Sequence, residues 1–213
     1  MQDNKALQAG TSHNLGQNFA RAFNVQYQTA QGGLDFVWNT SWGVSTRMIG
    51  GLIMTHSDDN GLVAPPRLAP IQVVIVPIWK NDEERGQVSG VGGQVKDALT
   101  KVGIRVELDL RDMKPGAKYF DWEAKGVPVR LEIGPRDIAA GQVMAARRVK
   151  SATGGKTPIA LNDVTTAVPK VLDEIQQELF AAAKARREAN SIRGVTKTKF
   201  LEFMNGSGGF AYG

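Results

Sequence analysis

The run Ile71 to Ile78, IQVVIVPI, limits what this chain can fold into more than any other stretch. A strand this apolar has no face to give to water, so helices must cover it on both sides, as in the interior of a parallel sheet. The residues after Ile78 agree with that demand. Their pattern predicts a helix from Asp82 to about Val102, a strand in IRVELDL and a short helix around Lys118 to Lys125. Further strands are expected in VPVRLEIG and, after Pro135-Arg136-Asp137, in QVMAARRVK. The segment ATGGKTP reads as a turn, and a long helix runs from about Asn162 to Asn190. Such alternation implies an α/β sandwich with a mixed or mostly parallel sheet flanked by helices.

Before that run, Ala64-Pro65-Pro66-Arg67-Leu68-Ala69-Pro70 marks a boundary, because proline stiffens a connector and stops helices. Residues 1–66 differ in kind, being rich in glycine, aromatics and small polar groups. Asn14 to Phe23 has helical spacing, with Leu15, Phe19, Ala20 and Phe23 on one side. LDFVWNTSWG reads as a strand, and Val44 to His56 as a helix. Gly50 and Gly51 inside that helix each cost roughly 1 kcal/mol against alanine, so close packing is expected there. One helix pair and a strand or two make a poor independent domain, and the segment reads as cut from something larger. Residues 67–180 form the second unit. Residues 181–213 read as a basic linker, with six basic side chains and one acid between positions 184 and 199, ending in GSGGFAYG at the start of a truncated domain.

Composition narrows the function. Absent cysteine excludes disulfides and thiolate metal sites, and the two histidines cannot build a metal cage alone, so no metal site is expected. No apolar run approaches the ~20 residues of a membrane span, and the N-terminus has no signal-peptide pattern. A cytoplasmic address fits. Residues 1–66 hold three cations, Lys5, Arg21 and Arg47, against four carboxylates, so the net charge of +5 comes wholly from the later residues. Such an excess reads either as a surface for a polyanion such as nucleic acid or as a solvated basic face.

Two constellations could carry chemistry. In QAGTSHNLGQNFA and TSWGVSTR, the residues Gln8, Thr11, Ser12, His13, Trp42, Ser45, Thr46 and Arg47 offer donors, acceptors and a fixed positive charge, the inventory for a small zwitterion and a triphosphate. The same hydroxyls could equally be helix caps. In DMKPGAKYFDWEAKGVPVRLEIGPRD, eighteen positions hold Tyr119, Phe120, Trp122, Glu123, Arg130, Glu132 and Arg136. Aromatic and guanidinium faces beside polar groups suit unstacked bases, although Phe120 and Trp122 could instead be core. His56 near Asp58 and Asp59 is poor metal spacing and reads as structural hydrogen bonding. SGVGGQ comes after a helical stretch, not a strand, and lacks the ending of a phosphate loop.

GTSHNLGQNFARAF, WNTSWGVSTRMIGGLIMTHSDDNGLVAPPRLAPIQVVIVPI and KGVPVRLEIGPRD resemble successive blocks of the prolyl-tRNA synthetases of archaeal and eukaryotic type, which are class II ligases. The resemblance implies proline activation by ATP, with Mg2+ alongside, and transfer to tRNA(Pro), in a parent enzyme that is a homodimer. WGVSTR resembles the family's motif 3. By that likeness Arg47, Gln8 and Thr11 contact ATP, while His13, Trp42 and Ser45 line the proline pocket. Phe120, Trp122, Glu123, Arg130, Glu132 and Arg136 fall in the block that reads the anticodon, where Glu123 or Glu132 could accept from guanine. The family's motifs 1 and 2 lie upstream of the residues present, so the chain is expected to be inactive alone. The glycines of SGVGGQ depart from the family's uninterrupted helix and are expected to loosen it. GGFAYG resembles the approach to a zinc-binding domain whose cysteines are not in the chain, so no zinc is carried over. The alternative is a free-standing tRNA-binding or regulatory module without ligase activity.

Overall fold

A computed structural model of the chain describes residues 1–149, 155–206 and 208–213. Its centre is a five-stranded mixed sheet in the order β6-β5-β7-β8-β9, built from β5 (Val73–Pro77), β6 (Val106–Leu108), β7 (Val129–Ile133), β8 (Gln142–Arg147) and β9 (Thr157–Ala160). β6, β5 and β7 run parallel; β8 and β9 are antiparallel to their neighbours. The apolar run that demanded two covers is β5, every residue of which is buried. α3 (Asp82–Lys101) and α6 (Val164–Ala189) lie on one face, where Val73, Ile75, Val129, Leu131 and Ile133 meet Leu99, Val168 and Ile175. The other face carries a smaller cluster of Val74, Val76, Trp122 and Val127, formed with α4 (Pro115–Ala124). One face is therefore fully roofed, and the other is covered beside β5 and left accessible around β7 and β8.

α3 starts at Asn81, whose side chain accepts from the Glu84 amide at 2.8 Å, with Asp82, Glu83 and Glu84 placed favourably at the positive helix end. The helix is unbroken, contrary to the expectation that its glycines loosen it. Buried Val88, Val95 and Leu99 hold it to the sheet, and Gly92 is itself a packing residue. A Cβ there would lie 3.0 Å from Leu108 Cδ1. Tertiary burial outweighs local propensity here.

The first 66 residues also differ from expectation in detail. β1 (Thr11–Gly16) pairs antiparallel with β4 (Asn39–Gly43), so Asn14 to Gly16 are extended and the helix is only α1 (Asn18–Ala22). β2 (Gln26–Gln28) and β3 (Leu34–Phe36) make a hairpin, and the expected strand breaks between Phe36 and Asn39. α2 (Arg47–His56) buries none of its residues, and Ala20 is the one buried position before Val63. Residues 1–9 strap over α2. The Gln2 amide donates to Met54 O, and Leu7 lies so near Gly51 that a Cβ there would sit 2.8 Å from Leu7 Cδ2. Gly50 has no such neighbour.

The proline-rich boundary is tied down. Arg105 donates to Ala69 O at 2.9 Å and Pro66 O at 3.1 Å, and Gln72 Nε2 donates to Pro66 O at 3.1 Å. At the other end, α6 passes position 180 without interruption. The expected linker is instead the end of α6 followed by β10 (Ser191–Arg193), α7 (Lys197–Asn205) and β11 (Phe210–Tyr212), with β10 parallel to β11. Gly209, at φ +129°, lets that crossover close, because a Cβ would fall 2.4 Å from Asn190 O. The turn expected in ATGGKTP falls up to position 154 outside the described residues, and its last two residues open β9.

Candidate functional site

Around the start of α2, four of the singled-out residues form a hydrogen-bonded chain. Arg47 Nη1 donates to Gln8 Oε1 at 2.8 Å, Gln8 Nε2 donates to Thr11 Oγ1 at 3.2 Å, and the Arg47 amide donates to Ser45 Oγ at 3.3 Å. The guanidinium thus stands at the positive end of a helix, where anions are favoured. β1 pairs Thr11 with Gly43, Ser12 with Trp42 and His13 with Ser41. Facing residues share a side and successive residues alternate, so His13 goes with Thr11 while Trp42 projects from the opposite face. Trp42 is 80% exposed. Arg47, Gln8, Thr11 and Ser45 are brought together; Trp42 and His13 are not. A cleft of about 940 Å³ lies elsewhere, between residues 4–9, α2 and α6, with a lining that includes Leu7, Ile49, Leu52 and Phe210. Its lining is mainly apolar, with Lys5, His56, Arg186 and Arg187 among its polar residues.

His56 at the end of α2 has its pKa lowered by burial and by Arg186. Asp58 is drawn into a turn with Gly61 and pairs with Arg148. Among the described residues no three histidine or carboxylate side chains gather as metal ligands.

The second constellation lies on the accessible sheet face and its rim. Successive residues of β7 alternate, so Val129, Leu131 and Ile133 enter the main core while Arg130 and Glu132 point toward the α4 side. Arg130 lies 4.0 Å from the Tyr119 ring centroid and donates from Nε to Glu132 Oε1 at 3.0 Å. Lys156 reaches Glu132 Oε2 at 2.5 Å. Both Glu132 oxygens are therefore occupied, and the residue is buried. Burial, then the adjoining Glu132 charge and hydrogen bond, push the Tyr119 hydroxyl well above its ordinary pKa. A pocket of about 240 Å³ opens beside these groups, lined by Trp122, Glu123, Arg130, Arg148 and Lys156 among others. Glu123 is one of the residues lining this pocket, and its side chain has no hydrogen-bond partner among the described residues.

Phe120 and Trp122 of α4 separate, as residues two apart on a helix must. Phe120 is 76% exposed, whereas Trp122 is 8% exposed and donates its indole N–H to Asp109 Oδ2 at 2.7 Å. Asp109 also accepts from Arg111 Nε at 2.9 Å and Nη2 at 2.7 Å, while Lys118 Nζ donates to the Asp109 carbonyl at 3.0 Å. Burial alone would raise the Asp109 carboxyl, but hydrogen bonds from Arg111 and Trp122 overcome it and hold it at about 2. This network fixes α4 against the end of β6. Arg136 is exposed on α5 (Pro135–Ala139), whose start is held by the Gly134 amide donating to Asp137 Oδ2 at 2.8 Å.

Sequence reasoning missed Lys156, Arg148 and Asp109. For Arg148 a signal was present, two adjacent arginines closing the largely apolar stretch that forms β8. Lys156 in a glycine-rich turn and Asp109 at a strand end carry no such mark.

Relatives align along nearly the whole chain. It is 54% identical over 192 residues to a proline–tRNA ligase of Chloroflexus aurantiacus, covering 90% of this chain and 40% of that protein. To the proline–tRNA ligase of Christiangramia forsetii it is 50% identical over 211 residues, 99% of this chain and 42% of the relative. To the chloroplastic/mitochondrial proline–tRNA ligase of Arabidopsis thaliana it is 51% identical over 196 residues, 90% of this chain and 36% of the relative. The chain thus spans about 40% of the length of the first of these relatives. Residues 72–178, which contain the half-open sheet and its pocket, match the anticodon binding domain family, and the chain belongs to that family.

Proposed function

We propose that the chain carries two working parts of an ATP-dependent proline–tRNA ligase: a segment of the aminoacylation site within residues 1–66 and the reader of the tRNA(Pro) anticodon within residues 67–180. The observation that carries this reading is the pocket between α4 and β7. There Glu123, whose carboxylate has no partner among the described residues, lines one pocket with the cations Arg130 and Lys156, and the same helix exposes the ring of Phe120. Guanine presents two adjacent N–H donors on its Watson–Crick edge, and a carboxylate accepts both; the cations meet phosphate, and aromatic rings stack bases. Phe120, Trp122, Glu132 and Arg136 belong to the same proposed surface. Trp122 and Glu132 serve it from below, by orienting α4 and Arg130.

In the first segment, Gln8, Thr11 and Arg47 would hold ATP, with Arg47 meeting phosphate or adenine at the helix start. His13 and Ser45 would border L-proline, with Trp42 on the opposite face of the ribbon. Positioning and charge stabilisation of the departing pyrophosphate are the chemistry such groups supply, and magnesium would enter with the nucleotide. A homodimeric parent enzyme in the cytoplasm completes the proposal. Because Arg47 and Trp42 stand on an open ribbon and an unburied helix, these 213 residues by themselves should show no proline-dependent ATP–pyrophosphate exchange.

Binding of the chain to an anticodon stem-loop of tRNA(Pro) tests the central statement. Affinity should fall with salt and fall by a further factor of roughly ten or more when the GG of the anticodon is replaced. Equal affinity for unrelated loops would overturn anticodon reading by this domain.

A further inference from the structure

Arg148, just after β8, is a buried guanidinium in the wall of the 240 Å³ pocket, and among the described residues its bonds run to the Asp58 carboxylate and to three backbone carbonyls. Nη1 and Nη2 donate to Asp58 Oδ2 and Oδ1 at 2.9 and 2.5 Å, and Nη2 also donates to Gly61 O at 3.2 Å. Nε is shared between Leu62 O at 3.1 Å and Glu123 O at 3.0 Å. One side chain thus joins three elements: the turn after α2, the last turn of α4 and the sheet. The pair is lopsided, with the Arg148 side chain 3% exposed and that of Asp58 48% exposed.

The backbone repeats the junction. Leu62 N donates to Ala124 O at 3.0 Å and Ala64 N to Gly126 O at 3.3 Å. Two glycines make the approach possible. A Cβ on Gly61 would lie 2.6 Å from Ala124 Cα, and one on Gly126 would lie 2.5 Å from Leu62 O. The chain from Asp58 to Ala64 is therefore laid directly along the turn that carries Glu123. Asp58 and this stretch precede residue 72, where the match to the anticodon binding domain family begins.

We propose that Asp58, through Arg148, is a positioning residue for base recognition: it fixes the α4 turn that presents Glu123, so specificity in the pocket depends on a carboxylate outside the matched domain. The proposal rests on the anticodon reading above. The mechanism is geometric. A bidentate carboxylate sets the plane of a guanidinium, and that plane aims Nε at the Glu123 carbonyl. With Asp58 neutralised, Arg148 keeps carbonyl acceptors but loses the group that orients it, and Glu123 loses a fixed direction. Nothing in this removes a phosphate contact, so general affinity for RNA is left in place.

The test compares the chain with its Asp58→Asn and Asp59→Asn variants against two stem-loops, one with the GG anticodon and one with GG replaced. Asp59 is the control, being exposed and without a side-chain partner among the described residues. D58N should weaken binding of the GG loop by roughly tenfold, leave the replaced loop and the salt dependence unchanged, and keep a cooperative thermal transition. D59N should behave as the parent. If D58N discriminates as the parent does, or loses both loops equally, the proposal is overturned. A parent chain that fails to discriminate overturns the anticodon reading and this proposal with it. Amide exchange on the unaltered chain gives a second readout that needs no variant. The GG loop should slow exchange at Leu62 and Ala64, and the replaced loop should not. Unchanged exchange at both amides under saturating GG loop overturns the coupling.

Discussion

Asp109 shows how much one carboxylate can hold in place. Its side chain is fully buried and accepts from Trp122 and Arg111 while lying 3.8 Å from the Lys118 ammonium. Replacing it with alanine leaves the indole N–H unpaired and the buried Lys118 ammonium with the residue-109 carbonyl but no counter-charge, and should cost about 3 kcal/mol in urea unfolding. The pH dependence has a definite sign. Asp109 is depressed from an ordinary 3.8 to about 2, so its contribution is complete above 3.8 and disappears as pH falls through about 2. Asp58 and Asp121 are lowered as well, each first by its hydrogen bond to an arginine, and act in the same direction. Asp109→Ala should flatten the acid limb of the stability curve; an unchanged limb would show that other carboxylates dominate it. This network was not legible in the sequence, because Asp109 and Lys118 meet only once α4 has folded back on β6. Tyr119, Glu123 and Arg130 were legible because they sit within one short block. Trp122 was ambiguous until its burial was seen.

At the scale of elements, α3 and β5 were readable because each has an uninterrupted hydrophobic pattern and clear stops. The first helix was misjudged for a physical reason. Leu15 and Phe19 have helical spacing, but pairing of Thr11–Gly16 with Asn39–Gly43 is a non-local gain that local spacing does not report. β9 was overlooked on the same grounds, since TPIA looks like a turn until β8 lies beside it. The glycines of α3 give a prediction at this scale. Gly86 and Gly90 have open space where a Cβ would go, whereas Gly92 faces Leu108, Ile75 and Pro77. Gly86→Ala and Gly90→Ala should each stabilise the chain by about 0.5–1 kcal/mol, while Gly92→Ala should give no gain and a net loss. Equal stabilisation at all three positions, measured by thermal unfolding, would refute the packing role of Gly92.

Taken whole, the molecule places its net positive charge after residue 66, most of it beyond the stretch 72–178 that matches the anticodon binding domain, and its exposed large apolar side chains more densely before Val63. Composition made the first asymmetry legible; the second emerged only from burial. The proline-rich stretch reads in the sequence as a stiffened boundary between the two parts. Arg105 and Gln72 add to that stiffness by claiming the carbonyl oxygens of Pro66 and Ala69, leaving that backbone little freedom to rotate. In solution the two parts should therefore reorient at one common rate, and nitrogen-15 relaxation should return the same correlation time on both sides of Pro70. Stiffness at that seam also means that a push delivered at one end of the chain would arrive at the other undiminished by slack.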